Sequence, residues 1–284
     1  MSQEYEITYK AKNDYESPVN NAHWQFLIIP EQNLTQELIS VDFTNSINAY
    51  NEYSVNGQGF NTIRVQPKTA FENIVFTGSF KVRKHVVNPF DQLNDMSPVA
   101  EYDLIKTLDF KVDHEPFLRF TPLTTLPVDH EPSYVFNFGK SIFENLQELN
   151  TWIFDSFEYV PAVTNVKTTL KEIIALKQGV CQDFAHLFCA LCRRNSIPAR
   201  YVSGYLHQGN GYIGDTQMHA WAEAFIPTMG WVGFDPTNNI LASGDHIKVA
   251  HGKDYSDCPP LRGVVYSMGK NETTHSVEVL SQQQ

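Results

Sequence analysis

Positive charge is scarce in this chain. Its 21 lysines and arginines face 32 aspartates and glutamates, for a formal net charge of -11, and a protein without clustered cations is a poor phosphate-backbone binder. No nucleic-acid partner is expected. Long apolar runs are also missing. None approaches the ~18 residues that a membrane-spanning helix needs, and Met1-Ser2-Gln3-Glu4 has neither the basic nor the apolar segment of a secretory leader. The expectation is a cytoplasmic protein without a membrane partner. Cysteine is sparse, with only Cys181, Cys189, Cys192 and Cys258. Such a set is no disulfide scaffold and suits a reducing compartment. Cys189-x-x-Cys192 falls inside an apolar helical stretch, so it reads as buried packing rather than as a redox or zinc motif. Gly204-Tyr205 and Gly209-Asn210-Gly211 lack the strand-to-helix setting of a phosphate loop. No acidic loop cluster offers a calcium site, and no internal repeat is visible.

What the chain does have is apolar bulk. Hydrophobic residues make up 42% and aromatics 13% of it, enough for a core that needs neither metal nor disulfide. From Tyr5 to about Leu118 short alternating segments read as strands: Tyr5-Ile7-Tyr9, Trp24-Phe26-Ile28, Ile39-Val41-Phe43, Ile63-Val65, Ile74-Phe76 and Phe80-Val82, with turn signals at Ser17-Pro18 and Asn56-Gly57. An antiparallel sandwich buries such strands most simply. Val86 to Pro132 is punctuated by Pro89, Pro98, Pro116, Pro122, Pro127 and Pro132. Tyr102 to Phe110 within it reads as a last strand and the remainder as linker. Beyond it Ile142, Phe143, Leu146, Leu149, Ile153 and Phe157 keep helical spacing. Thr169-Leu170-Lys171-Glu172 has the capping-box pattern before a short helix ending near Leu176.

The chemistry-bearing residues follow. Cys181 opens a helical run in which Phe184, Ala185, Phe188, Leu191 and Cys192 share a face, Arg193 and Arg194 suit the last-turn carbonyls, and Pro198 blocks continuation. A helix start favours a thiolate, although a cysteine is as often a small buried apolar residue. Asp183 reads as a first-turn carboxylate. His186 points away from Cys181 around the helix.

His219 to Ile226 alternates, with Ala220, Ala222 and Ala224 forming a flat strip for that helix, and Trp231 to Asp235 alternates as well. A hairpin turning near Pro227-Thr228-Met229-Gly230, in the register that pairs Glu223 with Trp231 and Trp221 with Gly233, sets His219 opposite Asp235. Gly233 would then leave room for the Trp221 indole. Asp235 would fix the tautomer of His219, and His219 would hold the proton of Cys181. The Cys181 N–H is one oxyanion donor, with Gln182 and Trp152 as candidates for a second. Gly209 to Thr216 reads as a loop bordering this cleft or as plain surface. His207, His246 and His251 fall in polar loops and read as solvated. Zinc on Cys181, His219 and Asp235 is conceivable, but no paired ligand spacing supports it.

Gly179-Val180-Cys181-Gln182-Asp183-Phe184-Ala185-His186-Leu187, Ile197-Pro198-Ala199-Arg200-Tyr201-Val202-Ser203-Gly204-Tyr205, His219-Ala220-Trp221-Ala222-Glu223 and Gly230-Trp231-Val232-Gly233-Phe234-Asp235-Pro236-Thr237 together resemble the bacterial transglutaminase-like family, often described as cysteine proteases. The resemblance covers roughly residues 135–265, including His251-Gly252-Lys253-Asp254-Tyr255-Ser256-Asp257. It implies a papain-like core with a Cys–His–Asp triad on Cys181, His219 and Asp235. The family usually has Gly-Arg-Asp-Tyr where this chain has Gly252-Lys253-Asp254-Tyr255, so no role of an arginine carries over.

The expected fold class is α+β. A β-sandwich over 1–118 resembles the β-rich domain that precedes such cores, 119–134 is a linker, and 135–284 is a papain-like, transglutaminase-like α+β catalytic domain. The expected chemistry is acyl transfer on a peptide or protein amide through a thioester. Hydrolysis is favoured, with transamidation to an amine acceptor and a non-catalytic peptide-binding module as alternatives. Neither cofactor nor metal is implied.

Overall fold

Alternation builds the first layer. In β1 (Ser2–Val19) Tyr5, Ile7, Tyr9 and Ala11 are buried and their neighbours are not, the period-two pattern of a strand with one face on a core. The computed structural model describes residues 2–85, 96–128, 134–208, 210–227 and 229–282. One antiparallel sheet runs β15 (Asn271–Gln282), β1, β6 (Phe71–His85), β3 (Gln36–Asn45). A second runs β14 (Leu261–Tyr266), β2 (Asn21–Phe26), β5 (Asn61–Val65), β4 (Asn51–Val55). Trp24, Phe26, Phe43 and Phe76 meet between them, with Phe26 and Phe76 ring centroids 4.7 Å apart.

Several expectations change here. Ile74-Phe76 and Phe80-Val82 are one strand, β6, because Gly78 continues the alternation instead of breaking it. Ser17-Pro18 is not a turn but a register irregularity near the end of β1. Tyr102 to Phe110 is not a strand. Ser97 caps α1 (Pro98–Leu104) with Pro98 at its start, and Thr107 caps α2 (Leu108–Asp113), so prolines read as linker punctuation in fact begin helices. A third short helix, α3 (Glu115–Leu118), follows. The unit expected over 135–284 is also divided differently, because β14 pairs with β2 and β15 with β1. The chain returns to complete both sheets of the sandwich. Of the expected linker, 129–133 lies outside the described residues, as do Pro89, Gly209 and Thr228.

The second half is a five-stranded antiparallel sheet with helices on one face, so the whole is α+β as the sequence implies. Its order is β12 (Ile240–Ala242), β11 (Gly230–Asp235), β10 (His219–Ile226), β9 (Ala199–Leu206), β13 (His246–Gly252). The helix α6 (Cys181–Arg194) lies on it, Phe184, Leu187, Phe188 and Leu191 packing with Ala222 and Ala224 on β10. The alanine strip does what its flatness suggests. Against α6 pack α4 (Ile142–Ser156), with a Ser141–Glu144 capping box, and α5 (Leu170–Leu176), with the expected Thr169–Glu172 box. Each such cap contributes about 1 kcal/mol.

The sandwich is joined to this sheet along β13. The Gln36 amide donates to the Lys248 carbonyl at 2.8 Å and accepts from its N–H at 2.9 Å, and the Tyr205 hydroxyl donates to the Ile28 carbonyl at 2.6 Å. Arg193 is buried, not merely answering a helix end. Its guanidinium donates to the carbonyls of Phe117, Ala199 and Lys253 and to the Thr124 hydroxyl, tying the segment after α3 to the sheet. No described helix is long and apolar enough to cross a membrane.

Candidate active site

A parallel bridge sets the start of α6. β7 (Glu158–Tyr159) pairs with β8 (Gln178–Gly179), and the chain turns into the helix at Val180. The Val180 N–H and the Thr164 hydroxyl both donate to Asp183 Oδ2, at 2.9 and 2.6 Å. Asp183 is therefore a capping carboxylate and fully buried. Burial pushes its carboxyl up, opposed by those two bonds. The first intrahelical bonds belong to Asp183 and Phe184, whose N–H groups reach the Val180 carbonyl. The N–H groups of Cys181 and Gln182 precede them and face outward from the helix start.

Cys181 is half-buried, whereas Cys189, Cys192 and Cys258 are buried and none is in a disulfide. Burial pushes the Cys189 thiol up to about 11 and the thiols of Cys192 and Cys258 well up. His186 is fully buried and its Nε2 accepts the Tyr255 N–H at 3.1 Å. Burial lowers it to about 4, so it is a neutral fastener of the Tyr255–Asp257 turn.

His219 and Asp235 are fully buried, with Nε2 and Oδ2 2.8 Å apart. The hairpin register differs from the expected one. Glu223 faces Gly233 and Phe225 faces Trp231, two places along from the sequence-based pairing. Gly230, at φ +73, begins β11 in the left-handed region, and Ile226 pairs with it as the last pair before the turn. A shift of two keeps every side chain on its expected face, so the imidazole and carboxylate still meet, diagonally. The residue that makes room for the Trp221 indole is Gly204 on β9, where a Cβ would lie 2.5 Å from the ring, and not Gly233, which faces Ala242.

Asp235 collects donors on every side. His219 Nε2, Asn238 Nδ2 (2.9 Å) and His246 Nε2 (3.1 Å) share Oδ2, and the Thr237 N–H reaches Oδ1 at 3.0 Å. Though burial opposes ionisation, the His219 and His246 contacts hold this carboxyl far below the usual range. Burial disfavours the imidazolium of His219, but Asp235, followed by the Cys181 thiol, raises it to about 10. Nδ1 makes no hydrogen bond of ordinary geometry. It is the ring nitrogen that Asp235 leaves for the sulfur.

Other neighbours were not visible in the sequence. Tyr159, paired with Gly179 two residues before Cys181, has its hydroxyl pushed up to about 12 by burial and then by the Cys181 charge. Trp152 packs on Tyr134 and Phe157 under Lys177. Gly214 covers His219. The loop expected to border the cleft is pinned there: Asn238 bonds Ile213 through both its N–H and its carbonyl, and the Val277 N–H donates to the Thr216 carbonyl at 2.9 Å.

His246 is not a solvated loop residue. It begins β13 and is 2% exposed. Alternating His246 and Lys248 with apolar residues mimics a solvent-facing edge, but that face meets Asp235 and Glu223. His251 is also half-buried, its Nε2 3.2 Å from Arg200 Nη1. Glu223 accepts from Arg200 Nε at 2.5 Å and Lys248 Nζ at 2.8 Å, and the Arg200 guanidinium lies 4.1 Å over the Trp231 ring. Much of the motif content outside Cys181, His219 and Asp235 is thus an ion cluster bracing the sheet. Donor atoms of His219, Asp235 and His246 lie within 4.8 Å of one another. Both imidazoles direct N–H groups at one carboxylate oxygen, the geometry of shared protons rather than of a cation's ligand set.

Residues 133–236 match the family model described as the transglutaminase-like superfamily. An uncharacterized protein of Mycobacterium tuberculosis is 38% identical over 151 residues, covering 50% of this chain and 48% of its own. The similarity thus spans about half the length of that relative. An uncharacterized protein of Mycobacterium leprae is 27% identical over 282 residues, covering 93% of this chain and 94% of its own. Among solved structures, a candidate cysteine protease from Cytophaga hutchinsonii superposes with a TM-score of 0.77 at 22% identity, over 100% of this chain and 92% of its own. The sandwich and the helix-backed sheet are one shared fold.

Proposed function

We propose that this chain, which carries a transglutaminase-like core, hydrolyses amide bonds of peptides or proteins through a thioester on Cys181. The observation carrying this reading is the buried 2.8 Å contact between His219 and Asp235, with the other imidazole nitrogen left toward a half-buried thiol at a helix start. His219 takes the thiol proton, and Asp235 stabilises the imidazolium that results. The sulfur attacks the carbonyl carbon, and the developing oxyanion lies within reach of the Cys181 N–H. His219 then gives its proton to the leaving nitrogen as the C–N bond breaks. Water, deprotonated by His219, attacks the thioester, the C–S bond breaks, and a carboxylate and the original thiol remain. An amine in place of water makes a new amide instead.

The test is mass spectrometry of a peptide library incubated with the full chain, with and without an added primary amine, alongside Cys181→Ala. Cleaved peptides in both samples and none with the variant are expected. Amine adducts exceeding cleavage products would make the protein a transamidase. Binding without turnover, unchanged by Cys181→Ala, would make it a peptide-binding module.

A further inference from the structure

Asp235 serves two imidazoles through one oxygen, and the reaction above uses only one of them. His246 Nε2 is 3.1 Å from Oδ2 and His219 Nε2 is 2.8 Å from it. A carboxylate only accepts, so both nitrogens carry hydrogen. His246 Nδ1 is buried without a partner, which makes the ring the neutral Nε2–H form. The Trp221 ring packs edge-on against it at 5.1 Å. The charged and titratable groups facing it are Asp235 from β11, His219 from β10 and Lys84 from β6. Burial keeps a second proton off this imidazole, and His219 and Lys84 add to that effect.

We propose that His246 is a positioning residue for the reaction at Cys181, its Nε2–H holding the Asp235 carboxylate as an aligned anion behind His219. The need follows from the diagonal placement. The β10–β11 ladder ends at Ala222 and Phe234, so backbone pairing across the hairpin does not aim the carboxylate. A neutral donor aims it without bringing a second cation to compete with His219 for its charge. Without that donor the carboxylate is less well aimed at His219 and supports its imidazolium less, so the Cys181 thiolate beside it forms at higher pH.

This inference rests on the proposed role of Cys181 and His219, and the test separates the two. The rate of Cys181 alkylation by iodoacetamide is followed against pH in the wild-type chain and in His219→Ala, His246→Leu and His246→Gln. The leucine variant should move the acid limb up by about one pH unit, the scale of one charge-assisted hydrogen bond. The glutamine variant keeps an N–H and should stay near wild type. If His219→Ala abolishes fast alkylation while both His246 variants keep the wild-type limb, His246 has no positioning role. If His219→Ala changes nothing, the reading of the site itself fails. Should the leucine variant not fold, nitrogen NMR of the wild-type histidine rings decides. A protonated Nε2 on His246 that shifts when Cys181 is alkylated supports the role, and a bare Nε2 overturns it.

Discussion

Asp235 and His219 stand diagonally across a hairpin, not face to face, and still bring Oδ2 to 2.8 Å from Nε2. The contact is buried on both sides, so the pair behaves as one electrostatic unit whose charge state responds to pH.

That response has a definite sign. His219 is raised from 6.5 to about 10 in the fold, so its contribution to stability is full below 6.5 and is lost as pH rises through about 10. Asp235 is depressed from 3.8, so its contribution is present above 3.8 and is lost as pH falls toward its folded value. The pair therefore stabilises most between those two ordinary values. Asp235→Asn should cost about 3 kcal/mol there, with the deficit shrinking as pH rises from 6.5 toward 10. Urea midpoints of both chains across pH check this, and a pH-independent difference between them would refute it.

The four cysteines should separate cleanly by reactivity. Cys181 is half-buried beside an imidazolium, while Cys189, Cys192 and Cys258 are buried with their thiols pushed up. Brief iodoacetamide treatment of the native chain should label Cys181 alone, and treatment in denaturant should label all four. Peptide mapping gives the answer. Native-state label at Cys258 equal to that at Cys181 would contradict the burial described.

Glu223 offers a contrast, since its role is bracing. Removing its carboxylate leaves Arg200 without its carboxylate partner and the buried Lys248 with only a 3.8 Å contact to Glu31, a change that typically costs about 3–5 kcal/mol. Glu223→Gln should lower the urea midpoint by a corresponding amount while leaving the Cys181 alkylation rate of the folded protein within about two-fold, a difference of ~0.4 kcal/mol. A large fall in that rate without loss of stability would instead place Glu223 in the site.

How much of this was legible in the sequence follows from which contacts are local. The start of α6, the capping boxes at Glu144 and Glu172, the Asp183 carboxylate on the Val180 N–H, and the alternation of β10 and β11 are written in residues a few places apart. Faces were readable because side-chain period survives a slip of two, whereas register depended on Gly230 closing the turn. His246 was read as a solvated residue of a polar loop, and only the tertiary fold brings β13 against Asp235. The return of β14 and β15 to the sandwich was illegible because nothing local distinguishes a strand that pairs with its neighbour from one that pairs with residues 235 to 278 positions earlier.

The loop over the imidazole makes the last test. Gly214 has φ +92, and a Cβ built there would lie 2.6 Å from His219 Nδ1, the nitrogen assigned to the thiol proton. The loop cannot simply move aside. Gln208 Nε2 donates to the carbonyls of Asp215 and Val277, at 2.8 and 3.1 Å, and Asn238 joins Ile213 to the same carboxylate that holds His219. Gly214→Ala should therefore displace the ring rather than the loop. A displacement of that kind should slow Cys181 alkylation by ten-fold or more (≥ ~1.4 kcal/mol), with a stability loss of only about 1 kcal/mol from the left-handed backbone. Gln208→Ala works the other way, loosening the tether without touching the imidazole. It should leave the alkylation rate intact and raise hydrogen exchange across residues 210–218. In the double variant Gln208→Ala with Gly214→Ala the freed loop can yield to the new methyl group, so part of the lost reactivity should return. Equal rates in the Gly214→Ala single and double variants would mean that the strain sits in the backbone at 214 and not in the packing against His219.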